Sequence, residues 1–243
     1  MHTIKLFCIP YAGGSATIYS NWKRKLQKNI ELILLEPAGR GRRSGEPLYN
    51  DLNEAVDDLY REVASVMEKD ENYILFGHSM GSLLAFELYY KLIKEGFREP
   101  IHLYVSGGKA PHLERDIIYH DKPLEQFKKR IMDYDGVQSA LLFQSEELLH
   151  FFLPVLRSDF KIVETYHYTT KTNKIGCDMT ALTGIADSSL TLNDVAEWIR
   201  HAGENFYIKQ YEGGHFFIND YKEQIIEMIH EMVQGMQSAE TYN

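Results

Sequence analysis

Six short apolar runs, set apart by helical patterns and one long insertion, leave this chain few folds to adopt. They read IKLFCI (4–9), IELILL (30–35), YILFGH (73–78), IHLYVS (101–106), MTALTGI (179–185) and NFYIKQY (205–211). Runs of this length, rich in β-branched and aromatic residues, are strands. Several are near-continuous rather than alternating, as expected of strands covered on both faces in a parallel sheet. Between them, Leu52, Val56, Leu59, Tyr60, Val63 and Met67 recur at helical spacing over 51–68, while Asp57, Asp58, Glu62 and Glu68 fall largely on the other face. That acidic set reads as a solvated helix surface, not a metal site. Residues 192–201 and 220–236 give two more helices, and the tail beyond Gln237 is expected to fray. Such alternation implies an α/β fold: one doubly wound domain over 1–243, with a mostly parallel central sheet and helices on both faces.

The pattern breaks between about 110 and 170. Segments such as PLEQFKKRIMDYDG and SEELLHFFLPVLRSDFKIVETYHY are helical or irregular, punctuated by Pro111, Pro123 and Pro154. An insertion between a strand near 105 and one near 180 would sit above the strand ends, where ligands enter such sheets. It reads as a helical lid within the same domain, and no internal repeat interrupts the chain.

Composition narrows the classes. With 44% hydrophobic and 25% charged residues over 243 positions, the chain can bury a real core. No run of 18 apolar residues suggests a membrane span, and MHTIKLFCIPYAGG lacks a signal-peptide layout. A net charge of −9 argues against general nucleic-acid affinity. Cys8 and Cys177, each within an apparent strand, read as buried reduced thiols. A cytoplasmic protein without a metal is the expectation.

Chemistry is concentrated in YILFGHSMGSLLAFEL, where Ser79 stands between Gly77 and Gly81. A serine at a sharp strand-to-helix turn projects its hydroxyl, and glycines are needed where side chains would strike the neighbouring strand and helix. The segment matches the G-x-S-x-G elbow and also its context, strand before and helix after. A helix cap is the plainer role for such a serine. A serine hydroxyl needs a base in reach, and the base needs an acid to fix its tautomer. In α/β-hydrolases these follow in the order Ser, Asp or Glu, His. Of ten histidines, His215 in YEGGHFF comes just after the last strand, beside two glycines. His78 lies inside the elbow, His102 begins a strand, His201 and His230 fall in helices, and His112, His120, His150 and His167 fall in the lid. His215 is therefore the expected base. Asp187, just past the strand at 179–185 and 28 residues before His215, is the expected acid. Asp178 precedes the strand, Asp194 suits a helix cap, and Asp220 follows His215 too closely. An oxyanion needs donors. The backbone N–H of Met80 is one; the second comes from PYAGGSA (10–16), with Ala12 preferred and Tyr11 and Gly13 as alternatives.

The chain resembles the type II thioesterases that accompany non-ribosomal peptide and polyketide synthases, in the α/β-hydrolase fold. The resemblance runs through LFCIPYAGGSA, EPAGRGRR, LFGHSMGSLLAFEL, FFLPVLRSDFKIVETY and YEGGHFF. It implies hydrolysis of acyl thioesters on the phosphopantetheine arm of a carrier protein, releasing misprimed or stalled groups, with no cofactor of the enzyme's own. It places the family's serine, aspartate and histidine on Ser79, Asp187 and His215. Two departures stand out. Ser82 replaces a common second glycine, expected to alter elbow packing slightly, and Ser188 replaces a common proline, expected to leave the acid loop less rigid.

Given a carrier substrate, the basic cluster Arg40, Arg42 and Arg43 either meets the arm's phosphate or an acidic carrier helix, or is simply a solvated loop. Lys128, Lys129 and Arg130 read as one helix face, and HFFLPVLRSDF as lid core or acyl-pocket wall. The rival readings are a small-molecule carboxylesterase or lipase and, from another class, a binding protein that reuses the fold without chemistry. The enzyme is expected to act as a monomer.

Overall fold

The computed structural model describes residues 3–114, 118–134, 143 and 145–241. The six apolar runs are six parallel strands: β1 (Ile4–Ile9), β2 (Ile30–Leu34), β3 (Tyr73–His78), β4 (His102–Ser106), β5 (Asp178–Gly184) and β6 (Phe206–Tyr211). Their ends shift from the expected ones by no more than a residue. Asp178 thereby becomes the first residue of β5 rather than a flanking one, and its carboxylate accepts from Asn205 at the sheet's N-terminal end.

Side chains of β1 and β3 alternate between two cores, which is why these strands are almost wholly apolar, whereas β6 at the sheet edge is largely exposed. Phe7 and Ile9 of β1 with Tyr73 and Leu75 of β3 face one core. Ile4, Leu6 and Cys8 with Ile74 and Phe76 face the other. The first core is closed by α1 (Leu52–Ala64) and α2 (Met80–Lys94), the second by a 3-10 segment (Ala16–Arg24) and α6 (Lys222–Thr241). Each fully buried Leu, Ile or Phe contributes about 1.5–3 kcal/mol. Asp51 starts α1 by accepting from the Glu54 amide at 3.0 Å. The expected helix over 192–201 divides into α5 (Leu192–Ala196) and a 3-10 turn (Glu197–Arg200), leaving His201 in the turn beyond and not in a helix. Thr191 caps α5, and Asp194 completes the capping box from inside the first turn. The backbone of α6 stays helical to Thr241, past Gln237, where fraying was expected.

Among the described residues of 110–170 the named elements are helices, α3 (Leu124–Met132) and α4 (Glu146–Glu164). Pro154 does not end α4 but lies inside it, while Pro123 caps α3. Residues 115–117, 135–142 and 144 of the expected lid, and the last two of the tail, lie outside the described residues.

The strand order is β2-β1-β3-β4-β5-β6. Chain direction across the sheet therefore reverses between β1 and β3, whose register pairs Ile9 with Gly77. The loops leaving these two strands diverge, opening the crevice in which such sheets bind ligands.

Candidate active site

Ser79 sits at the top of β3, where the chain must turn at once into α2. Its φ of 56° and ψ of −114° make it the one non-glycine residue with positive φ among those described. Such strain, of the order of 1–3 kcal/mol, persists only where the surroundings enforce it. They do so through contact. A Cβ on Gly77 would lie 1.9 Å from the Gly81 carbonyl oxygen, and one on Gly81 would lie 2.3 Å from that of Ile9. The Ser79 amide also donates to the Ser106 carbonyl at the end of β4, at 2.7 Å.

The structure brings Ser79, His215 and Asp187 together. His215 Nδ1 lies 2.7 Å from Asp187 Oδ2, and its Nε2 lies 2.9 Å from Ser79 Oγ. A carboxylate facing Nδ1 requires the proton there. Nε2 is then the acceptor for the serine hydroxyl, the tautomer a general base needs. Burial alone would raise the Asp187 carboxyl. The hydrogen bond and charge of His215, with both bonds from Ser189, outweigh it and hold the group below the usual carboxylate range. The loops carrying acid and base are joined in turn, Ile185 N–H donating to Tyr211 O and Ala186 N–H to Gly213 O.

Other side chains complete the site; His78 packs beside the elbow as expected, while Ser189 and Tyr134 were not foreseen. Ser189 donates to Asp187 Oδ1 through its amide, at 2.9 Å, and through its hydroxyl, at 2.6 Å. The amide bond is an Asx turn, so the serine two places after Asp187 was a readable signal. His78 is fully buried with its ring 5.2 Å from that of His215 and its Nδ1 2.8 Å from Ser106 Oγ. Burial first, and then the nearby His215, push its imidazole far below the usual range against the pull of Asp187, so it stays neutral. Tyr134, two residues past α3, packs its ring tilted against that of His215 with centroids 4.7 Å apart, and Arg130 lies over Tyr134 in turn.

Beside Ser79 opens a cavity of about 330 Å³. Met80 and Ala12 line it, and Leu83, Ile131, Leu156 and Phe160 form apolar wall. Met80 is the first residue of α2, so its N–H is one of the amides a helix start leaves without an internal partner. In the loop after β1, Gly13 N–H donates to Asp159 at 2.6 Å and Gly14 N–H to Tyr11 O at 2.9 Å. Gly13 is thereby removed as an oxyanion donor.

A family model described as a thioesterase domain matches residues 4–233. The chain belongs to the thioesterase family. It is 36% identical to the thioesterase PikA5 of Streptomyces venezuelae, over 89% of this chain and 76% of that one. Its fold is similar to that of ClbQ from the colibactin NRPS/PKS pathway, with a TM-score of 0.91, 29% identity and coverage of 98% and 99%. It is also similar to the type II thioesterase BorB of the borrelidin cluster, with a TM-score of 0.83, 30% identity and coverage of 95% and 92%. No described helix of this thioesterase is long and apolar enough to cross a membrane.

The basic cluster requires correction. Arg40 is 5% exposed and forms a two-pronged ion pair with Asp159 of α4, at 2.5 and 2.7 Å, so it faces no carrier. Arg43 is enclosed by Glu46, Asp58 and Glu62. Arg42 alone of the three is largely exposed, and it pairs with Glu62 at 2.7 Å. The acidic face of α1 is thus the partner of Arg42 and Arg43, not only a solvated surface. Arg130 likewise leaves its expected helix face to line the cavity. HFFLPVLRSDF divides: Leu156 and Phe160 are cavity wall, while Phe151 is 68% exposed. The two departures are absorbed locally. Ser82 is buried, its hydroxyl 2.9 Å from Ser79 O and 2.8 Å from Ser106 O. Ser188 Oγ donates to Asp133 O of the lid at 3.2 Å, restraining the acid loop in proline's absence.

Proposed function

We propose that this protein is a type II thioesterase that removes acyl groups from the phosphopantetheine arm of carrier-protein domains of a synthase. The observation that carries the reading is the unbroken chain of short contacts from Asp187 through His215 to Ser79, beside a cavity with an apolar wall of Leu83, Ile131, Leu156 and Phe160. Ser79 Oγ attacks the thioester carbonyl as its proton passes to His215 Nε2. Asp187 stabilises the resulting imidazolium. The amides of Met80 and Ala12 receive the oxyanion. On collapse the C–S bond breaks, and His215 returns the proton to the departing pantetheine thiol. Water, deprotonated by His215, then attacks the acyl-enzyme ester; the acid leaves and Ser79 regains its proton. No metal or bound cofactor takes part, since the substrate brings its own arm.

Of the three arginines, Arg42 is the one that is largely exposed, and we take it as the one that meets a carrier. Reversing its charge is expected to weaken use of acyl-carrier substrates while sparing a small soluble thioester. The reading further takes the enzyme to work as a cytoplasmic monomer. The deciding test is incubation with several acyl-loaded carrier proteins, following free acid by mass. Release by the wild-type protein and none by Ser79→Ala is the expected result. Faster cleavage of an oxygen ester of equal acyl length would favour a carboxylesterase instead.

A further inference from the structure

Asp159 lies in the middle of α4, is 1% exposed, and makes two kinds of bond at once. Its Oδ1 and Oδ2 take both terminal nitrogens of Arg40, and Oδ2 also accepts the Gly13 amide at 2.6 Å. Arg40 extends further to the Gly14 carbonyl, at 3.4 Å. The Asp159 carboxylate and the Arg40 guanidinium thus grip Gly13 and Gly14, the two residues after Ala12. The same helix presses the loop from above. Gly13 has φ +76°, and a Cβ there would lie 2.4 Å from Leu156 Cδ2, one turn before Asp159.

Replacing such a buried ion pair with apolar residues is often neutral for stability. Packing alone therefore does not explain charges at this place, whereas fixing a neighbouring amide does. We infer that Asp159, oriented by Arg40, is a positioning residue: from the lid helix it holds the Gly13 amide and so aims the Ala12 amide at the oxyanion. The inference rests on the proposed acyl-transfer reading of the site. It ties the geometry of the loop after β1 to the docking of α4.

The test compares variants on a short acyl thioester of N-acetylcysteamine, which needs no carrier. Asp159→Leu alone would strand the buried Arg40, so it is paired with Arg40→Met. That double variant is expected to stay folded and to lose about 10- to 100-fold in kcat, less than removal of an oxyanion donor outright. KM should stay within about threefold and the pH midpoint should not move, as expected of lost transition-state aim with ground-state binding kept. Asp159→Asn, which keeps an oxygen for Gly13, should recover most of the loss. A folded double variant with kcat within about twofold of wild type overturns the inference. Should that variant not fold, amide exchange in the wild-type protein decides. The Gly13 N–H should exchange far more slowly than an open loop amide, and an unprotected rate overturns the inference. Failure of the wild-type protein to hydrolyse any thioester would sink the functional reading instead, and would leave Gly13 protection unchanged.

Discussion

The loops leaving β3 and β1 supply the two halves of the proposed oxyanion hole, and they are held in opposite ways. The turn after β3 is fixed by its own residues against the backbone of the adjoining strands, the Ile9 and Ser106 carbonyls. Gly77 and Gly81 admit no side chain, Ser79 accepts a strained φ, and Met80 follows as the first amide of α2. The loop after β1 is fixed from a distance, by Asp159, 146 residues from Gly13, and by Glu36, 20 residues from Ala16. Glu36 is buried and accepts the Ala16 amide at 3.0 Å and the Ser15 hydroxyl at 2.8 Å. A nucleophile must be placed the same way in every state of the enzyme, and local sterics ensure that. A donor set by remote carboxylates depends on everything that carries them, the lid helix included.

Substitutions in the turn after β3 should have the largest effects. Ser79→Ala is expected to lower turnover by about 10⁴-fold or more while leaving the melting temperature near wild type, because the Cβ and the turn remain. Unchanged turnover with a thioester substrate would remove the basis for the comparison. Gly81→Ala sets a methyl against the Ile9 carbonyl and should cost about 3 kcal/mol or more in urea unfolding, among the largest single-residue effects. A wild-type midpoint would show that the turn yields more easily than its contacts indicate.

The loop after β1 should respond by degrees. Glu36→Leu leaves the Ala16 amide and Ser15 hydroxyl without their acceptor. It is expected to lower kcat by about tenfold and stability by about 1–3 kcal/mol. Glu36→Gln keeps an acceptor oxygen and should recover most of the activity. If Glu36→Leu instead matched the loss from Ser79→Ala, the loop would be as indispensable as the nucleophile and the contrast would disappear.

The same division explains what was legible in the sequence. Strands buried on both faces write an unbroken apolar code, and the elbow writes its glycines next to its serine. Both were readable because cause and effect lie within a few residues. Asp187 and His215 were found from their positions just past strand ends. Arg40 was misread because its partner lies 119 residues away, and nothing in GRGRR distinguishes an arginine that pairs inward from one that faces water. Two plain readings, a solvated acidic face on α1 and a basic loop, were two sides of one contact, through Asp58 and Glu62 to Arg43 and Arg42. Pairings that only the fold creates leave no local pattern.

Acidity should distinguish the two regions further. The loop after β1 is held by carboxylates and an arginine, but beside the turn after β3 packs the neutral imidazole of His78, and two more buried imidazoles lie farther off, His102 at the start of β4 and His201 against Phe86 of α2. Burial pushes His102 down to about 4. Burial, and then His112 and nearby cations, push His201 down to about 4 as well. His78 is also lowered, beside the elbow itself. A histidine with a depressed folded pKa leaves the unfolded chain holding more protons below about 6.5, so stability is present above that value and drains away as pH falls toward 4. His102 alone should account for about 2 kcal/mol between pH 7 and pH 5, measured by urea unfolding. A flat profile over that interval would mean these imidazoles reach solvent.

The smallest expected effect is the sharpest check on whether the turn after β3 is self-sufficient. Ser82→Gly restores the residue that resemblance to the family leads one to expect. It deletes a hydroxyl bonded to the Ser79 and Ser106 carbonyls. A net hydrogen bond contributes about 1 kcal/mol, and glycine in the first turn of α2 adds a backbone cost of up to ~1 kcal/mol. A loss of about 1–2 kcal/mol in stability should follow. Activity should barely change, because the Ser79 carbonyl keeps the Ser82 amide at 3.0 Å and the Ser79 amide keeps the Ser106 carbonyl at 2.7 Å. Those backbone bonds, with the two glycines, suffice to aim the hydroxyl, so kcat within about twofold of wild type is expected. A tenfold fall in kcat with the fold intact would mean that a side chain, not the backbone alone, sets the nucleophile. The turn after β3 would then be held in the same manner as the loop after β1.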